Sequence, residues 1–201
     1  MEKPAETESP IHELLRRRWS PRAYSERMVE PAKLQSLLEA ARWAPSSNNE
    51  QPWSIVLATK DDTEGYARLL SCLKEGNKKW AFRAPVLMLS VARLTFEDDG
   101  TPNRHAFHDT GMAIFSLALQ ATALGLIAHQ MAGFDIERAR AELKIPAGHE
   151  PVAMIAVGYP GEPDLLPDYL KQRELAPRDR KPVSAFVYGA VWGEPLPSPR
   201  S

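Results

Sequence analysis

The sequence predicts an α/β protein in which a β-sheet is covered by helices. Three observations carry this. APVLMLSVA (84–92) and PVAMIAVGYP (151–160) are apolar on both faces, as strands in the middle of a sheet are. SIVLA (54–58) is a shorter β-branched run of the same kind. Between these runs, apolar residues recur at i, i+3, i+4 and i+7, the period of a helix with one buried face.

In chain order, Ser9-Pro10 reads as an N-cap with proline at the first helical position, and Ile11, Leu14 and Leu15 share a face. Pro31 opens a second helix with Leu34, Leu37, Leu38 and Ala41 inward, ended by Pro45. After strand 54–58, Asp62 caps a third helix lined by Tyr66, Leu69, Leu70 and Leu73, with Gly76 as its stop. Strand 84–92 leads to a polar loop, TFEDDGTPNR (95–104). Asp109 then caps the longest helix, TGMAIFSLALQATALG, apolar nearly all round and so expected to be buried. Ser116, Gln120 and Thr122 interrupt it, and it is shorter than the roughly 20 apolar residues of a membrane span. LIAHQMAGFD (126–135) is a strand or extended piece ending in Gly133, Asp135 caps a helix to about Leu143, and Pro146 stops it. After strand 151–160 come a proline-rich connection, a short helix near 164–170, a basic cluster and the apolar tail SAFVYGAVWGEP.

The chain has 201 residues, 43% hydrophobic and 25% charged, which fits one domain with a real core. A net charge of -1 and a pI of about 6.5 give no general pull toward nucleic acid or an anionic membrane. A single cysteine, Cys72, suits a reducing compartment, and MEKPAETESP is too polar and acidic for a signal peptide, so a cytoplasmic location is expected.

There is no GxxxxGK[ST] loop, GxGxxG turn, GxSxG elbow or HExxH. His105, His108 and Asp109 are close in sequence, but Asp109 has a better use as a helix cap, and no metal site is expected. Cys72 reads as packing material rather than a nucleophile.

Two arginine clusters stand out. In RRRWSPR (16–22), Arg18, Ser20 and Arg22 point the same way if the chain is extended, an arrangement that matches phosphate oxygens. Arginines at a helix end also meet the helix dipole and solvent, and spacing leaves both readings open. RDRK (178–181) repeats the alternation with Arg178 and Arg180, again either an anion clamp or a basic loop. APSSNNEQPW (44–53) offers Ser46, Ser47, Asn49 and Gln51 on a backbone held by two prolines. Such groups read the edges of a flat heterocycle, or bond their own turn.

RRWSPRAY, ARWAPSSNNEQPW, the helix with ALGL leading to HQMAGFD, and AVGYPGEP resemble the FMN-dependent nitroreductase family in order and spacing, over about residues 11–195. The resemblance implies a mixed central sheet flanked by helices, in one domain spanning 11–195, with flexible tails at 1–10 and 196–201. It implies an intertwined homodimer with FMN at the interface, residues 183–195 wrapping the partner. Arg18, Trp19, Ser20 and Arg22 fall on the family's first flavin motif: Arg18 and Ser20 toward the phosphate or ribityl end, Arg22 toward the pyrimidine edge. Arg178 and Arg180 match a basic pair at the phosphate. Pro45, Ser46, Ser47 and Asn49 would come from the partner subunit, with Gln51 as support. Asn77 fits the pyrimidine edge, and Met131, Ala132 and Gly133 the segment facing flavin N5.

The implied activity is hydride transfer from NAD(P)H through FMN to a small oxidant: a nitro compound, a quinone or a conjugated carbonyl. Relatives that use FMN for dehalogenation or flavin breakdown, and a flavin-binding module without turnover, are the alternatives. No side-chain acid or base is required, because the flavin carries the chemistry and the protein supplies position and field. Arg22 would act as an electrostatic stabiliser. The chain departs from the best-studied bacterial relatives at Ala132, where they carry an acid, and at Trp80, where some carry a lysine near the ring, and these changes bear on nitroaromatic preference; the short 95–104 loop, where many relatives have a helical excursion, predicts a more open site.

Overall fold

The computed structural model describes residues 1–196; the tail expected at 196–201 lies almost wholly outside them. The helices are α1 (Glu13–Arg17), α2 (Pro31–Arg42), α3 (Thr63–Cys72), α4 (Glu75–Ala81), α5 (Ala106–Ala123), α6 (Ile136–Leu143) and α7 (Asp168–Leu175). The strands are β1 (Trp53–Thr59), β2 (Val86–Arg93), β3 (Ile127–Met131) and β4 (His149–Gly158), in the order β1-β2-β4-β3.

The α/β architecture is as expected, but each neighbouring pair of strands is antiparallel rather than part of a mixed ladder. One reason lies between β1 and β2. A single helix would return the chain for a parallel pair. Here the crossover breaks into α3 and α4, and the chain re-enters the sheet in the opposite direction. Gly76 is therefore not a helix stop. The break falls at Leu73, which forms an isolated bridge with Phe134, and the next amide, Lys74 N, donates to Gly133 O at 3.0 Å.

The central strands explain the apolar runs. Seven consecutive residues of β2, Val86–Ala92, are buried, and Leu87, Leu89 and Met154 pack on one face while Val86, Met88 and Ile155 pack on the other. Helices α3, α4 and α6 cover the first face; α2 and α5 cover the second. β1 and β3 are the edges.

Several starts and stops differ from expectation. α1 begins at Glu13 rather than after Ser9: His12 Nδ1 accepts from Leu14 N at 3.2 Å, while the preceding chain turns back so that Ala5 N donates to Arg16 O at 2.8 Å. Asp62 and Asp135 do cap their helices, accepting from Gly65 N at 3.0 Å and Arg138 N at 2.9 Å. Asp109 does not: α5 starts at Ala106, one turn earlier. The helix expected near 164–170 is a 3-10 turn (Pro163–Leu165) followed by α7, because Pro167 resets the start. α5 is not enclosed all round, since Phe107 is 50% and Phe115 38% exposed.

Candidate functional site

The two arginine clusters meet. Arg178 lies 160 residues from Arg18 in sequence, yet its Nη2 donates to Arg18 O at 3.0 Å and its Nη1 to Arg16 O at 3.0 Å and Lys3 O at 2.6 Å. These bonds fix the turn that leaves α1. Arg18 Nη1 lies 3.4 Å from Ser20 Oγ. Among the described residues, Arg18, Arg178 and Arg180 form no ion pair. Burial, then repulsion from Arg178 and Arg180, lowers the Arg18 pKa; burial and Arg180 do the same to Arg178. Arg180 donates through N to Asp179 Oδ1 and through Nη1 to Asp179 O, both at 2.7 Å. Clustered guanidiniums without an ion pair are chemically suited to an anion such as a phosphate.

Arg22 is held differently. Glu174 of α7 is 1% exposed, and its Oε1 accepts from Arg22 N at 2.8 Å and Ala23 N at 3.1 Å. Its Oε2 stands 3.6 Å from Arg22 Nη1 and has no hydrogen-bond partner among the described residues. Lys3 Nζ donates to Glu174 O at 2.7 Å and to Ala176 O, and sits 4.8 Å from the Trp19 ring centroid. Trp19 also lines a cleft of about 230 Å³ with residues 1–4, Arg17, Arg18, residues 125–127 and others. That cleft touches neither Asn77 nor Gly133, so it is not the whole of the expected cradle.

His129, on β3, supports the same turn: its Nδ1 lies 2.9 Å from Pro21 O, so the Nδ1–H tautomer donates there. Burial lowers its pKa to about 4, the Arg22 and Arg18 charges add to this, and the ring is neutral at pH 7. Its other neighbour is Trp80, at a centroid distance of 4.6 Å. Trp80 itself is 1% exposed and stacked on Tyr24, so it belongs to the core and does not replace a lysine at a ligand ring.

Asn77 and the 131–133 segment also come together. Asn77 Nδ2 donates to Gly133 O at 3.0 Å. A Cβ on Gly133 would fall 2.6 Å from that same nitrogen, so a larger residue there would push the Asn77 amide out of this position. Phe134 N turns back to Ala132 O at 3.0 Å, while the Gly133 N–H donates to no group of the described chain. It remains free for a ligand acceptor.

The polar loop is a strained one. Asn48 (φ 53°), Asn49 (φ 58°) and Gln51 (φ 50°) are all left-handed, a costly conformation for residues with a Cβ. Three anchors hold it. Ser46 Oγ accepts from Gln51 N at 3.0 Å. Glu50 is ion-paired to Arg93 and accepts from Glu97 N at 2.8 Å. Asp109, 3% exposed, accepts from Ser47 N at 3.0 Å. This is the work of Asp109 in place of capping. His108 Nδ1 lies 3.0 Å from its other oxygen, and the described residues include no cluster of three or more potential metal ligands. Gln51 Nε2 bonds Asn49 O at 2.8 Å, a bracing role. The Ser47 hydroxyl and the Asn49 side-chain amide bond nothing within the described chain, while the Asn49 backbone N donates to Ser46 O at 3.1 Å. Pro45 is exposed.

The two halves do not meet within one chain. Met131 pairs with Met154, Met154 with Leu89, and Leu89 with Val56, so β3 ends level with the middle of β1 and runs toward the end at which the polar loop enters β1. They sit at opposite edges, three strand spacings or roughly 14 Å apart.

Asp109, Glu174 and His129 escaped the sequence reading as site residues. Asp109 passed for a cap, and a lone glutamate in KQREL gives no pattern. His129 sits two residues before Met131 on a strand, a spacing that places both on one face.

A family model described as the nitroreductase family matches residues 15–159. An uncharacterised 15.4 kDa protein of Mycolicibacterium smegmatis is 38% identical over 133 residues, 66% of this chain and 88% of that one. A Thermus thermophilus NADH dehydrogenase is 30% identical over 177 residues, 73% of this chain and 84% of that one. A crystal structure described as an oxidoreductase containing FMN superposes with a TM-score of 0.89 at 38% identity, covering 94% of this chain and 96% of the other.

Proposed function

This chain belongs to the nitroreductase family, and we propose that it is an FMN-dependent oxidoreductase passing hydride from NAD(P)H to a small oxidant. The observation that carries the reading is the set of uncompensated guanidiniums at Arg18, Arg178 and Arg180, beside Ser20. A phosphomonoester completes that charge balance, and FMN ends in one. The FMN-containing structural relative supports the same cofactor, and the Thermus NADH dehydrogenase supports a nicotinamide donor.

When bound, FMN supplies the redox chemistry, taking hydride from the nicotinamide and giving it to the oxidant. The chain's own residues place it. Arg18, Ser20 and Arg180 would hold the phosphate; Arg178, spent largely on carbonyls, braces the turn that presents them. Arg22 and Asn77 would face the pyrimidine edge, and the Gly133 N–H would serve the ring nitrogen that exchanges hydride. Trp19 and Ala132 would line the cradle, while the Met131 side chain is buried in the core beneath it. No residue needs to move a proton at a fixed atom, and a short 95–104 loop, closed by a Thr95–Pro102 bridge, keeps the ring accessible to varied oxidants.

We propose further that two chains build each site. Pro45, Ser46, Ser47 and Asn49 lie too far from Gly133 to serve the same ring in one chain, so a second copy brings them. The exposed Trp43 (74%), Phe107 and Phe115 form an apolar surface for such a partner. So does the tail, where Phe186 (63%) and Trp192 (87%) are exposed and 183–195 would wrap the partner.

The test is direct. The purified protein should be yellow and release FMN on denaturation. Anaerobic mixing with NADH or NADPH should bleach it, and a nitroarene or quinone should restore the colour. A flavin that stays oxidised for minutes with both donors would leave a binding module without turnover. A colourless protein that takes up no FMN would refute the cofactor itself.

A further inference from the structure

We propose that Glu174 is a positioning residue that sets how strongly Arg22 attracts electrons into the flavin. This rests on the reading of the site as an FMN cradle with Arg22 at the pyrimidine edge. An ionisable side chain 1% exposed is expensive to bury unless it is paired. Glu174 spends one oxygen on the backbone of Arg22 and Ala23, at 2.8 and 3.1 Å, which fixes where the Arg22 side chain begins. The second oxygen points at the Arg22 guanidinium from 3.6 Å, too far for a hydrogen bond, and has no other hydrogen-bond partner among the described residues. Lys3, the remaining nearby cation, gives its Nζ hydrogen bonds to the Glu174 and Ala176 carbonyls rather than to the carboxylate.

This geometry has two effects. The guanidinium is aimed, yet its N–H groups are not consumed, so it can still serve a ligand. Its charge is offset by a carboxylate in a partly buried place, where screening is weak. Reduction adds negative charge at the pyrimidine edge of a flavin. A lone Arg22 would favour that charge strongly; the Arg22–Glu174 pair favours it less. Glu174 therefore holds the reduction potential down and makes the reduced enzyme a stronger donor to its oxidant.

Glu174→Gln isolates the charge, because the amide oxygen still accepts from Arg22 N and Ala23 N. In the FMN-loaded protein, poised against a reference dye at the parent's midpoint potential, the ratio of reduced to oxidised flavin should rise about tenfold. For a two-electron couple that is ~30 mV. Glu174→Asp, which keeps the charge but withdraws it, should shift the ratio less and in the same direction. In an Arg22→Gln background, Glu174→Gln should leave the ratio unchanged within about twofold. A Glu174→Gln protein that carries FMN at the parent's potential overturns this inference alone. So does a shift that persists without Arg22. If Glu174→Gln does not fold, an Asp variant at the parent's potential overturns it equally. Failure of the parent to bind FMN removes both this inference and the proposed function.

Discussion

Replacing Arg18 with alanine should move ligand affinity and the stability of the empty protein in opposite directions. Arg18 is partly buried, has no carboxylate partner among the described residues, and is repelled by Arg178 and Arg180. A hydrogen bond to a charged group is worth about 1.5–3 kcal/mol. Its loss should raise the dissociation constant of FMN roughly 10–150-fold. In the empty protein the same change removes a repelled cation. The Arg178 bonds go to backbone carbonyls and survive it. The stability of the apoprotein should stay level or rise by up to about 1 kcal/mol, the scale of a screened pair of like charges. Fluorescence titration of apoprotein with FMN gives the first quantity, and urea denaturation of the apoprotein gives the second. An Arg18→Ala protein that holds FMN as tightly as the parent would refute the clamp. Apoprotein weakened by more than about 1.5 kcal/mol would refute the view that this cation waits for a ligand.

Three other perturbations test the supports. Asp109→Ala orphans Ser47 N and releases a loop with three left-handed residues; denaturation should show a loss of about 1.5–3 kcal/mol, and Asp109→Asn, which keeps an acceptor, a smaller one. An alanine variant as stable as the parent would remove Asp109 from the loop's anchors. His129 binds its proton less readily folded, at about pH 4, than unfolded, near 6.5. Its contribution to stability is thus complete above about pH 6.5 and disappears as pH falls toward 4, up to about 3 kcal/mol, and His129→Gln should flatten this part of the profile. An unchanged slope would show that other groups govern it. Deleting residues 183–201 should give, by sedimentation, a species that no longer pairs and carries no flavin; a yellow truncated dimer would rule out the wrapped tail.

The core was the most legible part of the sequence. The runs at 84–92 and 151–160 became the central strands because only fully enclosed strands tolerate apolar residues on both faces. Helix starts at Asp62 and Asp135 were legible because a cap is a local event. The break after Cys72 was not, since it depends on Leu73 pairing with Phe134, some sixty residues on. The site followed the same division. The motif residues were visible as types, and their convergence was expected only from the family resemblance, because the Arg178 bonds to backbone carbonyls leave no mark on composition. Asp109 shows the limit: the same carboxylate at a helix start serves either as a cap or as an anchor for a distant loop, and the choice is made by tertiary structure.

The placement of the two half-sites at opposite edges of the sheet has a genetic corollary. One chain damaged at Arg18 and another damaged at Asn49 would each be inactive as a pure species. If, as proposed, two chains build each site, both lesions in a hybrid would fall on the same cradle and leave the other one whole. Co-expressed defective copies that paired at random would then rescue one another to about a quarter of full occupancy, half the sites in the half of the dimers that are hybrid, a behaviour that a pocket built from a single polypeptide could never display.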